Sequence, residues 1–183
     1  MHRFWINLLG NQLVWLCAVI GAGRGLQWPA LLAAALYIAS QLAGAPRPRV
    51  ELRLLWLALA CGAVVDGVAA GSGLVVYAAS VPGPLPPPWI LALWAAFAMT
   101  LTTSMAFLQR RAWLASLFGL LLAPLAYLSA ARGWDAVQFA APTWRGILLL
   151  GIGWALVLPL LAAAARRWSR TAPPALDTAD AHP

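Results

Sequence analysis

Residues 47–73, RPRVELRLLWLALACGAVVDGVAAGSG, combine a cluster of charges, an apolar run and a glycine-rich end. Three arginines and a glutamate come first, the apolar run covers residues 54–70, and Gly-Ser-Gly follows it. One helix needs about 20 predominantly apolar residues to cross a bilayer core of about 30 Å. Arginines beside such a run mark its cytoplasmic end. The stretch therefore predicts a transmembrane helix that begins in the cytoplasm and carries one acid, Asp66, inside the membrane.

The composition of the whole chain agrees with a membrane location. Of its 183 residues, 63% are hydrophobic and only 9% are charged, whereas a soluble domain carries roughly 25% charged residues. The net charge of +7 comes from arginines that flank the apolar runs and would face anionic headgroups. We therefore predict a multi-pass membrane protein and exclude nucleic-acid binding.

Six apolar runs are long enough to be predicted as spans, so the predicted fold class is an all-α, six-span transmembrane helix bundle. We expect a single transmembrane domain over residues 1–170 and a disordered cytoplasmic tail over residues 171–183, where Pro, Ala and Asp replace the apolar pattern. The first run is interpreted as an uncleaved span. The predicted spans are Phe4–Ala22, Trp28–Gly44, Leu54–Ala70, Trp89–Leu108, Trp113–Ala130 and Ile147–Ala164.

The arginines alternate between the two sides of these spans. Nine fall at the chain ends and in the even-numbered gaps, and three fall in the odd-numbered gaps. This imbalance predicts that both termini are cytoplasmic. The minority group is Arg24, Arg132 and Arg145, and the majority group is Arg3, Arg47, Arg49, Arg53, Arg110, Arg111, Arg166, Arg167 and Arg170.

The gap between spans three and four is unusual. A short apolar piece, residues 74–81, lies between the Gly-Ser-Gly break and a proline-rich stretch that ends at Pro88. Eight residues are too few to cross the membrane. We predict a short interfacial or re-entrant helix followed by an extended proline linker.

Asp66 is a candidate functional residue because ionisable groups inside spans are costly and rare. Its helical face carries mainly small residues, including Gly62 and Ala69, which allow close approach of another helix. We therefore expect Asp66 to point into the bundle and to pair with Tyr127 first and Tyr37 second. Two roles stay open: a structural hydrogen bond between helices, or a functional group.

Other intramembrane polar residues are predicted to form a layer nearer the cytoplasm. Thr100, Thr103 and Ser104 are expected to share one helical face with Ala96 and Phe97. The layer is either hydrogen-bonding glue between helices or the lining of a cavity open to the cytoplasm. The residues of the layer are Asn11, Gln12, Gln41, Thr103 and Ser104, and Thr100 is a further candidate on the helical face of the last two.

Several membrane chemistries lack the residues they need. An intramembrane aspartyl protease requires two facing carboxylates, and a serine protease requires a buried histidine, but the two histidines lie at the chain ends. Cys17 and Cys61 are expected to stay unpaired. Glu51 lies among arginines and is expected in a surface ion pair. We predict no metal and no cofactor, and regard enzymatic activity as uncertain.

The chain resembles a family of small bacterial inner-membrane proteins known as domain of unknown function 2878, over most of its length up to about Phe139. The residues that carry the resemblance are Asn7, Gln12, Trp15, Gly21-Ala22, Trp28, Glu51, Gly62, Asp66, Gly73, Pro88-Trp89-Ile90, Leu93-Trp94, Phe97-Ala98, Thr100-Leu101, Pro124-Leu125 and Tyr127.

The resemblance implies a link to membrane lipids, because relatives are often encoded near fatty-acid-modifying enzymes of the cyclopropane-synthase kind. The expected partners are membrane lipids and such fatty-acid-modifying proteins. We therefore expect an accessory to membrane-lipid or fatty-acid modification. The alternatives are a small proton-coupled transporter that uses Asp66 and an intramembrane enzyme with an Asp66–Tyr127 pair.

Overall fold

The computed structural model describes residues 1–83 and 85–171. This part of the chain is helical apart from two short strands. In chain order the elements are α1 (His2–Gly23), α2 (Trp28–Ala43), α3 (Pro48–Gly71), β1 (Val75–Tyr77), α4 (Pro88–Ala98), the 3-10 helix Ala106–Arg110, α5 (Ala112–Trp134), β2 (Val137–Phe139) and α6 (Trp144–Thr171). The predicted tail lies outside the described residues except for Thr171, which ends α6.

Four of the helices, α1, α3, α5 and α6, are long and apolar enough to cross a membrane. The other two are shorter, with 16 residues in α2 and 11 in α4. At about 1.5 Å per residue, α2 spans about 24 Å and α4 about 16 Å. The chain is thus a helical membrane protein in which two of the predicted spans are short of the full bilayer core as single helices.

The helices pack by small residues and present large apolar side chains outward. On α3, Val64 and Val68 are exposed, whereas Gly62, Asp66 and Ala69 are buried. This is the orientation that the small-residue face predicts. Helix α5 lies along α6, α1 lies along α2, and α3 packs against both α4 and α6.

Two of the glycines permit close approaches between helices. A Cβ atom at Gly62 would overlap the indole ring of Trp94 on α4, and one at Gly23 would overlap the backbone carbonyl of Trp134 at the end of α5. The sequence therefore allows α3 and α4 to pack with an aromatic ring lying directly on the α3 backbone. Gly23 likewise allows the ends of α1 and α5 to meet. They meet at the opposite end of the bundle from Arg47–Arg53.

The prediction of one continuous helix over residues 89–108 is wrong. Helix α4 ends at Ala98, and turns fill residues 99–105 before the 3-10 helix begins. The Thr100 hydroxyl donates to the Phe97 carbonyl at 2.7 Å, and the Asn7 amide donates to the Met99 carbonyl at 2.9 Å. Side-chain bonds of this kind compete with the helical ladder. Irregular backbone is tolerated at membrane depth when protein surrounds it.

The apolar piece after α3 is a strand and not the predicted helix. Val75 pairs with Phe139 and Tyr77 with Val137, which makes an antiparallel pair between the connections that follow α3 and α5. Val75 and Tyr77 are buried while Val76 is exposed, as the alternation of a strand requires. The predicted proline linker contains no helix at its described residues 82, 83 and 85–87, whereas Pro88 is the first residue of α4.

Candidate functional site

Asp66 is fully buried in the bundle, and its carboxyl group accepts three hydrogen bonds. The hydroxyl groups of Tyr77 and Tyr127 both donate to Oδ1 at 2.6 Å, and the indole N–H of Trp94 donates to Oδ2 at 2.6 Å. All three partners are neutral side chains. We call Asp66 and these three residues the Asp66 cluster.

Each partner is brought to Asp66 by a different element. Tyr77 comes from β1, and the strand pairing with β2 holds its ring over the end of α3. Trp94 comes from α4 and can lie against α3 because residue 62 has no side chain to block it. Tyr127 comes from α5, within one turn after Pro124. The cluster therefore joins α3 to three other elements, β1, α4 and α5.

The predicted hydrogen bond between Asp66 and Tyr127 is present. The predicted second partner, Tyr37, is wrong, because its hydroxyl donates to the backbone carbonyl of Asn7 and also accepts from the Asn7 amide, both at 3.0 Å. Sequence reasoning missed Tyr77 and Trp94. The signal available for Trp94 was Gly62, one turn before Asp66. The missing side chain at residue 62 leaves a gap on the face of α3 that carries Asp66, and a large side chain from another helix can fill this gap.

A cavity of about 380 Å³ lies next to the Asp66 cluster, between α1, α4, α5 and α6. We call it the central cavity. Gln12 on α1 and Leu122 and Ser129 on α5 line it and are exposed, so they mark a mouth between these two helices. The rest of the wall is mainly aromatic and aliphatic and includes Trp15, Trp89, Leu93, Trp94, Phe97, Phe118, Ala126, Tyr127 and Trp154.

The central cavity and the Asp66 cluster share Trp94 and Tyr127, while Asp66 itself does not line the cavity. The carboxyl group thus fixes two wall residues from behind. The Trp94 ring stacks on Trp154 with centroids 4.0 Å apart, and Phe97 meets Trp154 edge-on. The buried N–H of Trp154 has no hydrogen-bond partner among the described residues.

A second polar network surrounds Asn7, which is fully buried on α1. Its amide nitrogen donates to the Tyr37 hydroxyl, to Gln41 at 2.8 Å and to the Met99 carbonyl. Its amide oxygen accepts from the hydroxyl of Ser104 at 2.5 Å and from the Ser104 backbone N–H at 3.3 Å. Asn7 therefore joins α1 to α2 and to the turns after α4.

The predicted polar layer is divided between these two sites. Gln41 and Ser104 belong to the Asn7 network, whereas Asn11 and Gln12 line the central cavity. The turns after Ala98 overturn the predicted helical face of Thr100, Thr103 and Ser104. Thr100 bonds within its own turn, and Thr103 contributes its backbone to the same turns.

Glu51 does not form the surface ion pair that its arginine neighbours predicted. It is buried, and one carboxyl oxygen accepts a hydrogen bond from the Thr102 hydroxyl at 2.5 Å. The other oxygen, Oε2, has no hydrogen-bond partner among the described residues. Thr102 lies in the turns after α4. The sequence pattern did not predict these turns, and the prediction of a surface ion pair for Glu51 was wrong for that reason. Cys17 and Cys61 are both free, as predicted.

The comparisons with known proteins yield a family and no function. No curated protein and no solved structure matches the chain. The family described as "Protein of unknown function (DUF2878)" matches residues 4–160, which is most of the sequence and includes the Asp66 cluster and the Asn7 network. The chain therefore belongs to the DUF2878 family, as its resemblance predicted.

Proposed function

We propose that this protein holds one acyl chain of a membrane lipid in the central cavity and acts as an accessory to membrane-lipid or fatty-acid modification. The observation that carries the proposal is an apolar, aromatic-walled cavity of about 380 Å³ whose exposed residues place its mouth on the side of the bundle. Ligand cavities have volumes of about 300–1,000 Å³. A side mouth gives access from the lipid phase.

Selective binding of an acyl chain must come from shape and polar contacts. Lipid tails are as apolar as leucine, so transfer from bilayer to cavity brings little hydrophobic gain. Stacked rings of Trp94 and Trp154 form a fixed wall. Asn11 and Gln12 add amide groups on α1, which can hydrogen-bond the ester or carboxyl group of the chain. These features support recognition of a defined part of a lipid.

In this proposal Asp66 is a positioning residue. Its two oxygens hold the Tyr127 hydroxyl and the Trp94 indole in place, and both side chains line the cavity. A buried polar network in which each of these donors is satisfied favours one arrangement of its members. The cavity shape would therefore depend on an acid that the ligand does not touch.

The proposal extends to location and partners. We propose six crossings of the bacterial inner membrane, with both termini in the cytoplasm, on the basis of the nine-to-three arginine distribution. The segment from Pro88 to Arg110 would form the fourth crossing as a half-helix, turns and a 3-10 helix. The partner would be a fatty-acid-modifying protein that acts on the chain held in the cavity.

A photo-crosslinking experiment tests the lipid site. The purified protein is placed in nanodiscs that contain phosphatidylethanolamine with a diazirine on one palmitoyl chain, and the labelled residues are mapped after irradiation. We expect Leu93 and Ala126 in the cavity to be labelled more than the lipid-facing Leu125 and Leu156. Even labelling of cavity and lipid-facing residues would contradict the proposal.

Two substitutions on α5 give a matched comparison. Ala126→Phe places a ring inside the cavity, whereas Leu125→Phe places the same ring on the exposed surface one residue earlier. Only Ala126→Phe should reduce labelling of Leu93. In cells, a deletion strain should show an altered acyl-chain composition by lipidomics, and an unchanged lipid profile would argue against a role in lipid modification.

An intramembrane enzyme is the second candidate, and one observation favours it. Tyr127 lines the cavity and hydrogen-bonds a fully buried carboxyl group, an arrangement in which a tyrosine can serve as a general acid or base. Tyr127→Phe would keep the lipid crosslinks but remove a lipid product seen in wild-type cells. The transporter alternative has less support, because Asp66 does not line the central cavity.

A further inference from the structure

A second cavity lies where the 3-10 helix, the start of α5 and the end of α6 meet. Its volume is about 390 Å³, and it shares no lining residue with the central cavity. The α6 residues that line it, from Pro159 to Thr171, recur at spacings of three and four and so form one helical face. We call it the arginine cavity after the side chains Arg110, Arg166, Arg167 and Arg170.

The charge of the arginine cavity is of one sign. Four arginines line it, and no described Asp or Glu does. Gln109 also lines it, but its amide already donates to the Leu101 carbonyl at 2.8 Å. The guanidinium groups therefore supply the polar recognition. Their planar forks match phosphate oxygens and can bind them through paired hydrogen bonds.

The inner wall of the same cavity is apolar. Leu108 and Ala162 are buried there, beside Pro159 and Ala163. A free phosphate ion keeps its hydration shell and gains nothing from such a wall. An anion attached to a glycerol and acyl chains can place its phosphate among the arginines and its first carbons against the wall.

The position of the arginine cavity in the bundle also favours a lipid. Trp113 comes directly after the cavity residue Ala112 and is 68% exposed. Exposed tryptophans at the ends of membrane helices lie at the headgroup level. Basic pockets between membrane helices at this level bind anionic headgroups.

We propose that the arginine cavity binds the phosphate headgroup of an anionic phospholipid. Arg166, Arg167 and Arg170 on α6 and Arg110 on the 3-10 helix contact the phosphate, and the glycerol lies against Leu108 and Pro159. The site is independent of the acyl-chain site in the central cavity. Its failure would leave that proposal untouched.

Native mass spectrometry of the full-length protein in neutral detergent tests this site. Phosphatidylglycerol, phosphatidylcholine or inorganic phosphate is added, and both the bound adducts and the thermal stability are measured. The variant Arg166→Gln with Arg170→Gln removes two cavity charges. The control Arg47→Gln with Arg49→Gln removes two exposed arginines that do not line the cavity.

We expect the cavity variant to retain phosphatidylglycerol about tenfold more weakly, because hydrogen bonds between charged groups are lost, while the control binds like the wild type. The double lysine variant Arg166→Lys with Arg170→Lys should bind with intermediate strength, since it keeps the charge and loses the fork. Three results would overturn the proposal: equal loss in the control, equal binding of phosphatidylcholine, or equal stabilisation by inorganic phosphate.

Discussion

Replacing Asp66 with leucine removes the acceptor that three buried donors share. The hydroxyls of Tyr77 and Tyr127 both reach Oδ1, so after the substitution one hydroxyl can donate to the other. One hydroxyl and the indole N–H of Trp94 then remain without an acceptor. A buried unsatisfied donor costs about 1–3 kcal/mol, so we expect a loss of about 2–6 kcal/mol in the free energy of unfolding.

Asparagine at the same position should be tolerated much better. Its amide oxygen can accept from Trp94 while its NH₂ group donates to the two tyrosine oxygens, since a hydroxyl is both donor and acceptor. The penalty then falls on the displaced hydroxyl hydrogens. Measured side-chain hydrogen bonds between membrane helices average about 0.6 kcal/mol. We therefore expect Asp66→Asn to cost about 1 kcal/mol, well below the leucine variant.

Thermal unfolding in detergent measures the difference. For a chain of this length, about 2–4 °C of melting temperature corresponds to 1 kcal/mol, so Asp66→Leu should lower the melting temperature by about 4–24 °C. Val68→Leu is the control, because it adds leucine to the exposed side of the same helix. If Asp66→Leu were as stable as Val68→Leu, the cluster would contribute nothing to stability, and the argument that Asp66 positions the cavity wall would fail.

Three further predictions follow from the fold. Gly62→Leu should cost about 1–3 kcal/mol by overpacking the Trp94 ring, whereas Gly71→Leu, which has open space beside it, should melt like the wild type. Asn7→Ala should lower the melting temperature more than Asn11→Ala, because it leaves several buried groups unpaired at once. A periplasm-dependent reporter fused after Arg170 should be inactive, and activity would refute the cytoplasmic position of the C-terminal end.

The inward direction of Asp66 could be predicted from α3 alone. Small residues such as Gly62 and Ala69 lie on the same side of the helix as Asp66, and exposed valines lie on the other side. The spacing of these residues along the sequence therefore identifies the face that packs. The pairing with Tyr127 could be predicted from depth, because both residues lie at similar distances from the ends of their runs. The helical periodicity of α3 and a count of about 1.5 Å per residue from the ends of each run were sufficient for both predictions.

The other two partners of Asp66 depend on contacts between distant segments. Tyr77 reaches the acid only because β1 pairs with β2, about 60 residues later in the chain. Trp94 reaches it only because α4 packs on α3. Tyr37 was wrongly chosen since its competing partner, Asn7, lies on another helix. The depth of a polar group in the membrane does not determine which other group at the same depth it contacts.

The break after Ala98 has a consequence for how the chain enters the membrane. A continuous apolar helix satisfies its own backbone and can partition into lipid alone. The segment after α4 cannot, because its Met99 carbonyl accepts a hydrogen bond from the Asn7 side chain on α1. Its stable insertion therefore requires α1 to be in place first. The order of synthesis, with α1 emerging before α4, provides that partner in time.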